Sequence, residues 1–227
     1  MGKIVTIVPA YNEEPRIAAV LDVLTTVDYL SEIIVVNDGS KDGTGIVAGE
    51  YDVRLLEHEE NLGKGAALQT GIDHSSGADY FLFLDADLIG LSRDHLDQLL
   101  EPLLGRGGIS MSIGVFQEGP PLVRFAQNMF PVLNGQRALK ESLVKRLPDL
   151  SWSRFGVEIL LNRCCEAMDE NIEWVPLKNI SHWIKEKKDG WGPGLRHRLK
   201  MYRECIVCQL TCKKKLEIFF GEEHQKP

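Results

Sequence analysis

Three short clusters in this chain combine residue types and spacings that can do chemistry. Asp85-Ala86-Asp87 closes the apolar run at residues 79–84. If the backbone stays extended there, the two carboxylates, two positions apart, point to the same side. Such a pair of oxygens suits a hard divalent cation, Mg2+ or Mn2+, able to bridge phosphate oxygens. A capping or turn pair at a strand end is the plainer alternative. Asp38-Gly39-Ser40 follows another apolar run, and Asp38 could accept the hydrogen of a nucleobase imide or a ribose hydroxyl. Asp and Gly also make simple turns for backbone reasons.

The third cluster, Asn61-Leu62-Gly63-Lys64-Gly65, opens a helical pattern. Its glycines would let a phosphate approach the backbone, the helix start offers free N–H groups, and Lys64 adds a charge. An ordinary glycine turn before a helix is the alternative. It is not a P-loop: His58 stands where that motif needs glycine, and Gly65 stands where it needs Ser or Thr. No G-x-G-x-x-G follows the first apolar run, which speaks against a nicotinamide Rossmann enzyme.

The elements that must position these clusters alternate. Residues 3–9, 32–37, 52–57 and 79–84 read as strands, while 13–26, 63–73 and 93–104 carry helical spacing. That alternation predicts a parallel sheet covered on both faces. Ligands gather at the carboxyl ends of such strands. Tyr11-Asn12-Glu13, Asn37-Asp38-Gly39-Ser40 and Asp85-Ala86-Asp87 all fall there. The second half is less regular: a strand over 109–116, a loop around Gly119-Pro120-Pro121, helices over 136–146 and 155–170, a strand over 172–177, and helix from 192 to 219. No internal repeat or low-complexity segment interrupts it.

With 33 acids against 26 bases, the net charge is −7 and the pI about 5.4. A general nucleic-acid binder would need surplus cations to displace counterions, so that class is excluded. The 44% hydrophobic and 26% charged content is that of a chain able to bury a core. No apolar run reaches the about 18 residues of a membrane span. The start, MGKIVTIVPAYNEE, turns acidic before any leader-length apolar stretch, so no signal peptide is expected. The five cysteines are odd in number and cluster late, unlike a secreted disulfide framework. A reduced, cytoplasmic protein is the expectation.

Taken in order, VPAYNEE, VVNDGSKDGT, NLGKGAALQTGI and FLDADL resemble the family-2 glycosyltransferases with the GT-A fold. The likeness is close over residues 3–90 and looser to about 200. It points to the single-domain branch that includes polyprenyl-phosphate sugar synthases and glucosyl-phosphoglycerate synthases. The resemblance implies a three-layer α/β/α sandwich with a mostly parallel central sheet and a helical C-terminal extension. It implies a domain over 1–204, divided into a nucleotide-sugar-binding half (1–90) and an acceptor half (91–204), followed by a helical tail (205–227).

It further implies a nucleotide-sugar donor, usually a UDP-sugar such as UDP-glucose, and Mn2+ or Mg2+. Pro9, Ala10, Tyr11 and Glu13 would hold the nucleoside, and Asp38 would bond the uracil edge. Lys64 would sit near the uridine or the pyrophosphate. Asp85 and the adjoining Ala86 would face the ribose and metal, and Asp87 would bind the metal directly. Asn134-Gly135-Gln136-Arg137 resembles the segment beside the donor sugar, with Asn134 where Ser is expected and Arg137 as a candidate catalytic group.

Phe155-Gly156-Val157-Glu158 resembles the segment whose acid faces the acceptor; Glu158 is a catalytic candidate, with a helix cap or ion-pair residue as the alternative. His182 is a candidate third ligand to the metal, against the ordinary reading of a lone histidine as structural. Lys185, Lys187, Lys188, Arg196, Arg198, Lys200 and Arg203 reverse the overall charge locally. They could clamp a phosphorylated acceptor, close over the diphosphate, lie on an anionic membrane, or form a solvated helix face. Cys205, Cys208 and Cys212 fall on one helical face and read as packing; Cys164 and Cys165 read as core.

The expected partners are therefore a nucleotide-sugar donor, an acceptor that is a phosphorylated small molecule, a sugar or a lipid phosphate, at most a peripheral membrane contact, and a second copy in a homodimer. A sugar-1-phosphate nucleotidyltransferase is a rival, but its glycine-rich first loop with Arg and Lys is missing. A nucleotide-sugar-binding protein without turnover is another, but both metal acids remain.

Overall fold

The computed structural model describes residues 2–105, 107–117, 135–182 and 191–223, with backbone alone for 182, 191–202 and 222–223. Seven strands form the main sheet: β1 (Ile4–Ala10), β2 (Leu30–Asn37), β3 (Arg54–Glu57), β4 (Tyr80–Phe83), β6 (Ile109–Phe116), β7 (Arg137–Lys140) and β8 (Asn171–Leu177). Their order is β3-β2-β1-β4-β7-β6-β8. In this sheet only β7 runs against its neighbours, and the sheet's other pairs are parallel. A second ladder joins β5 (Leu88–Ile89) to β9 (Ser181–His182).

The β-branched runs split by residue parity. Ile7, Ile34, Val36, Phe81 and Phe83 face one buried cluster, while Val8, Val35 and Leu82 face the other. Both faces must be covered, and helices cover them. Helices α1 (Ile17–Leu24) and α4 (Arg93–Leu104) pack through Leu21, Leu24, Leu96 and Leu99 on the second cluster. The first cluster takes α3 (Lys64–His74), α6 (Val157–Ala167) and the long α7 (Trp191–Glu223) through Leu68, Leu160, Cys208 and Cys212. This is the expected three-layer sandwich. The short α2 (Thr44–Ala48) follows the loop after β2.

The second half departs from expectation in one place. Residues 136–146 are not one helix. Arg137–Lys140 pairs antiparallel with both β4 and β6, and only Glu141–Val144 (α5) is helical. Local preference for helix loses here to two flanking strand edges that need a partner. Helix α7 spans Trp191–Glu223, and its Cys205, Cys208, Cys212 and Leu216 join the main core. No described helix is long and apolar enough to cross a membrane.

Candidate functional site

The loops after β1 and β2 are stitched together. Asn12 takes a left-handed backbone (φ 56°), and its N–H donates to Ser40 Oγ at 3.0 Å. Lys41 N–H donates to Asn12 Oδ1 at 2.8 Å, Glu13 N–H to Thr44 Oγ1 at 2.8 Å, and Gly43 N–H to Glu14 Oε2 at 2.9 Å. Pro9 and Tyr11 are half-buried beside buried Ala10 and Glu13. Glu13 does not present a bare carboxylate, for it pairs with Arg16. The first expected binding segment is thus a pre-shaped wall at the carboxyl end of β1 and β2.

Asp38 is buried, and protein donors engage both of its oxygens. Oδ1 meets His58 Nδ1 at 2.7 Å and Leu62 N–H at 2.9 Å; Oδ2 meets Asn61 Nδ2 at 2.9 Å and Gly63 N–H at 2.8 Å. Four partners match the four lone-pair sites of a carboxylate. In this structure, then, Asp38 organises residues 58–63, and a nucleobase would have to share it with that loop. His58 is braced from behind by Thr70 Oγ1 at 2.9 Å from Nε2.

The glycines of residues 61–65 also have a different occupation from the one expected. Gly63 has φ 99°, and a β-carbon there would lie 3.0 Å from Arg154 Cα. A β-carbon on Gly65 would lie 2.3 Å from Ser153 Oγ and 2.4 Å from Leu150 O. Both glycines seat α3 against the 3₁₀ turn Ser151–Gly156, so they serve protein docking rather than open an approach for phosphate.

Between them Lys64 points inward. Its ammonium lies 2.5 Å from Asp85 Oδ1 and 2.6 Å from Glu158 Oε1. Burial alone would pull its pKa down, but the two carboxylates outweigh that and hold it above the ordinary lysine value. Glu158 sits in the first turn of α6, where the helix dipole favours an anion. Of its two expected roles, the structure displays the ion pair. Gln136 Nε2 donates to Asp85 Oδ2 at 2.8 Å, and a side chain at Gly135 would collide with both Asp85 and Lys64. Asp85, Lys64, Gln136 and Glu158 therefore form one cluster drawn from four separate segments.

Asp85 and Asp87 do not share an extended strand. The last ladder residue of β4 is Phe83, and Ala86-Asp87 forms a turn before β5, so same-side alternation does not apply. The β5–β9 ladder sets His182 opposite Leu88, one residue beyond Asp87. The backbone of residue 182, expected to supply a third ligand, thus lies one ladder position from Asp87, while the His182 side chain lies outside the description. A partial set of two carboxylates and one imidazole suits a hard divalent cation. Gln136 adds a buried carbonyl oxygen with no hydrogen-bond partner among the described residues. Among those residues no three His, Cys, Asp or Glu side chains converge to hold an ion, so ligand oxygens would have to complete the shell.

Arg137 is placed elsewhere than a catalytic reading requires. It is 1% exposed on β7, donating to Asn162 Oδ1 at 2.6 Å and to the Glu158 carbonyl at 3.3 Å. Burial pulls its pKa down to about 10, against the opposing pull of Glu158. It holds the start of α6 in place. Asn134, Lys185, Lys187 and Lys188 lie outside the described residues, as do the side chains of Arg196, Arg198 and Lys200. Arg203, within α7, lines a groove with Trp152, Arg154 and Glu204.

Sequence reading assigned no role to Gln136, His58, Asn61, Arg154 or Asn162. The first three stand within or beside the quoted motifs, which is the one local signal they carry; their partners Asp38 and Asp85 are distant in the chain. Nothing local marked the other two.

Comparison with known proteins places this geometry. The family model described as "Glycosyl transferase family 2" matches residues 5–158. A dolichyl-phosphate beta-glucosyltransferase of Trichomonas vaginalis is 46% identical over 36% of this chain and 28% of its own length. The counterpart from Drosophila melanogaster is 42% identical over 36% of this chain and 29% of its own. This chain thus spans less than a third of these curated relatives. Glucosyl-3-phosphoglycerate synthase of Mycobacterium tuberculosis, solved with Mn2+, UDP and glucosyl-3-phosphoglycerate, superimposes with a TM-score of 0.75 and 27% identity, covering 93% of this chain and 80% of that one.

Proposed function

The chain belongs to glycosyl transferase family 2, and from that premise we propose that it moves a glucosyl group from UDP-glucose, with Mn2+ or Mg2+, to a small phosphorylated acceptor. The observation that carries this reading is the Asp85–Lys64–Glu158 tie at 2.5 and 2.6 Å. It fastens the donor end of the sheet to the start of the helix expected to face the acceptor. The M. tuberculosis synthase, solved with UDP-glucose, Mn2+ and glycerol 3-phosphate, supports the donor and the cation. Its coverage of 93% of this chain favours a small phosphorylated acceptor over dolichyl phosphate, whose relatives match 36%.

The loops after β1 and β2 form the nucleoside wall, and Asp38 holds residues 58–63 against it. Asp87, Asp85 and His182 are the residues that would hold the cation. When bound, that ion neutralises charge building on the departing diphosphate. Lys64 supplies a second fixed positive charge to the same region, pre-oriented by its two carboxylates. Glu158, one of the two carboxylates on Lys64, would orient an acceptor hydroxyl. Transfer breaks the bond between the anomeric carbon and the diphosphate oxygen and forms one to the acceptor oxygen. The acceptor proton leaves to a base or to solvent.

The test is UDP release from UDP-glucose and Mn2+ with and without 3-phosphoglycerate, glycerol 3-phosphate or a polyprenyl phosphate. Release stimulated by a small phosphorylated acceptor is expected. Stimulation by the polyprenyl phosphate alone would move the acceptor class to lipid.

A further inference from the structure

Arg154 lies outside the cluster just described and is held in an uncommon backbone conformation. Its backbone has φ 50° and ψ −118°, a region crowded for any residue with a β-carbon. Such conformations persist only where their surroundings over-determine them, and they concentrate where position matters. Here the surroundings are identifiable. Gly63 packs against Arg154 Cα, with no room for a β-carbon between them. The guanidinium donates from Nη2 to Asn61 Oδ1 at 3.3 Å and pairs through Nε with Glu204 Oε1 at 3.2 Å.

These contacts extend a chain that begins at the nucleoside wall. Asn61 has one amide to orient: its nitrogen donates to Asp38 Oδ2 at 2.9 Å, and its oxygen accepts from Arg154. The carboxylate can only accept and the guanidinium can only donate, so both fix the same orientation of the amide, and Arg154 anchors the oxygen end that Asp38 leaves free. Glu204 lies on α7, so Arg154 also ties the loop at 61–63 to a helix from the far end of the sequence. The side chain is about one-third exposed, and its bonds to the loop and to α7 explain its position better than packing does.

We propose that Arg154 is a positioning residue for the nucleotide pocket, acting through Asn61 on Asp38. Its strained backbone is retained because only that path aims the guanidinium between loop 61–63 and α7. The inference rests on the reading that Asp38 and its loop face the base of a uridine nucleotide.

Two substitutions separate positioning from plain stability. Arg154→Ala and Arg154→Gly both remove the guanidinium, but glycine relaxes the backbone whereas alanine retains the strain. The glycine variant is therefore expected to melt above the alanine variant. UDP affinity, titrated calorimetrically with Mn2+, should fall by the same factor in both, about fivefold for one lost hydrogen bond. In turnover the loss should appear in KM for the donor, with kcat at saturation unchanged. Unchanged UDP affinity in both variants would overturn the proposal, as would a loss that follows melting temperature, larger for alanine than for glycine. Wild-type protein that binds no UDP in Mn2+ would overturn the nucleotide reading itself, and the positioning role with it.

Discussion

Residues 4–89 and residues 135–223 build the site in opposite ways. In the first region the loops bond to one another across neighbouring strands, as when Asn12 meets Ser40 and Lys41. Each contact is close at hand once β1 and β2 pair. Among the described residues, the second region adds few loops of that kind. It reaches in with single side chains: Glu158 to Lys64, Gln136 to Asp85, Arg154 to Asn61. The first region is a surface shaped by its own strands; the second closes and charges that surface from outside. The two regions meet at a joint where Gly63 and Gly65 pack on the 3₁₀ turn.

The largest effect should come from within the first region. Asp87→Ala is expected to lower acceptor-dependent UDP release by about a hundred- to a thousandfold while circular dichroism stays native, because the cation it would hold offsets charge on the departing diphosphate and one such contact is worth about that much. A variant keeping a tenth of wild-type turnover would remove Asp87 from the cation site.

Breaking the joint electrostatically comes next. Glu158→Gln leaves buried Lys64 with a single carboxylate, and removing one partner of a buried pair costs about 3 kcal/mol. By contrast Glu32→Gln, which breaks the half-exposed pair with Arg54, should cost under about 1 kcal/mol. Urea melts of the two variants check the ordering. Equal midpoints would mean that Lys64 gains nothing from the second region. The raised pKa of Lys64 means that its contribution is fully present below the ordinary lysine value of 10.5 and is lost as pH rises through the higher folded value. The difference between the variants should therefore hold constant from pH 6 to about 9.

A steric break is smaller. Gly65→Ala forces a methyl against Ser153 and Leu150 and should destabilise by about 1–3 kcal/mol. Gly49→Ala, with only ordinary contacts at 3.4 Å, should be neutral or gain up to about 1 kcal/mol. Thermal melts in parallel decide it, and an undisturbed Gly65→Ala would show that the joint yields.

The smallest expected effect concerns the cysteines that fasten α6 and α7. Burial pushes the Cys165 thiol up to about 12 and the Cys205 thiol to about 11. At pH 8 neither should react with a thiolate-seeking reagent in native protein, and both should react in denaturant. Rapid native labelling of Cys205 would mean that α7 leaves its seat.

The same contrast explains what could be read in advance. The runs IVTIV and IIVV are β-branched and stop at Pro9 and Asn37-Asp38, so strands and loop clusters were visible locally. The motif order carried the nucleotide-binding half. β7 was not visible, because RALK favours a helix until two strand edges claim it. Nor were the partners of Lys64 visible, for Glu158 is 94 residues away and chain separation hides such a pair. The glycines at 63 and 65 were noticed, but their reason was not, since it lies in a turn that only folding brings near.

Cation-dependent binding of a uridine nucleotide sugar at the carboxyl end of β1, β2 and β4 underlies every role proposed for these residues. Calorimetric titration of UDP-glucose into the protein, once with Mn2+ and once with EDTA, measures this directly. Saturable binding of one ligand per chain in Mn2+, largely lost in EDTA and in Asp87→Ala, is the predicted result. No binding in Mn2+, or equal binding in EDTA, would contradict it.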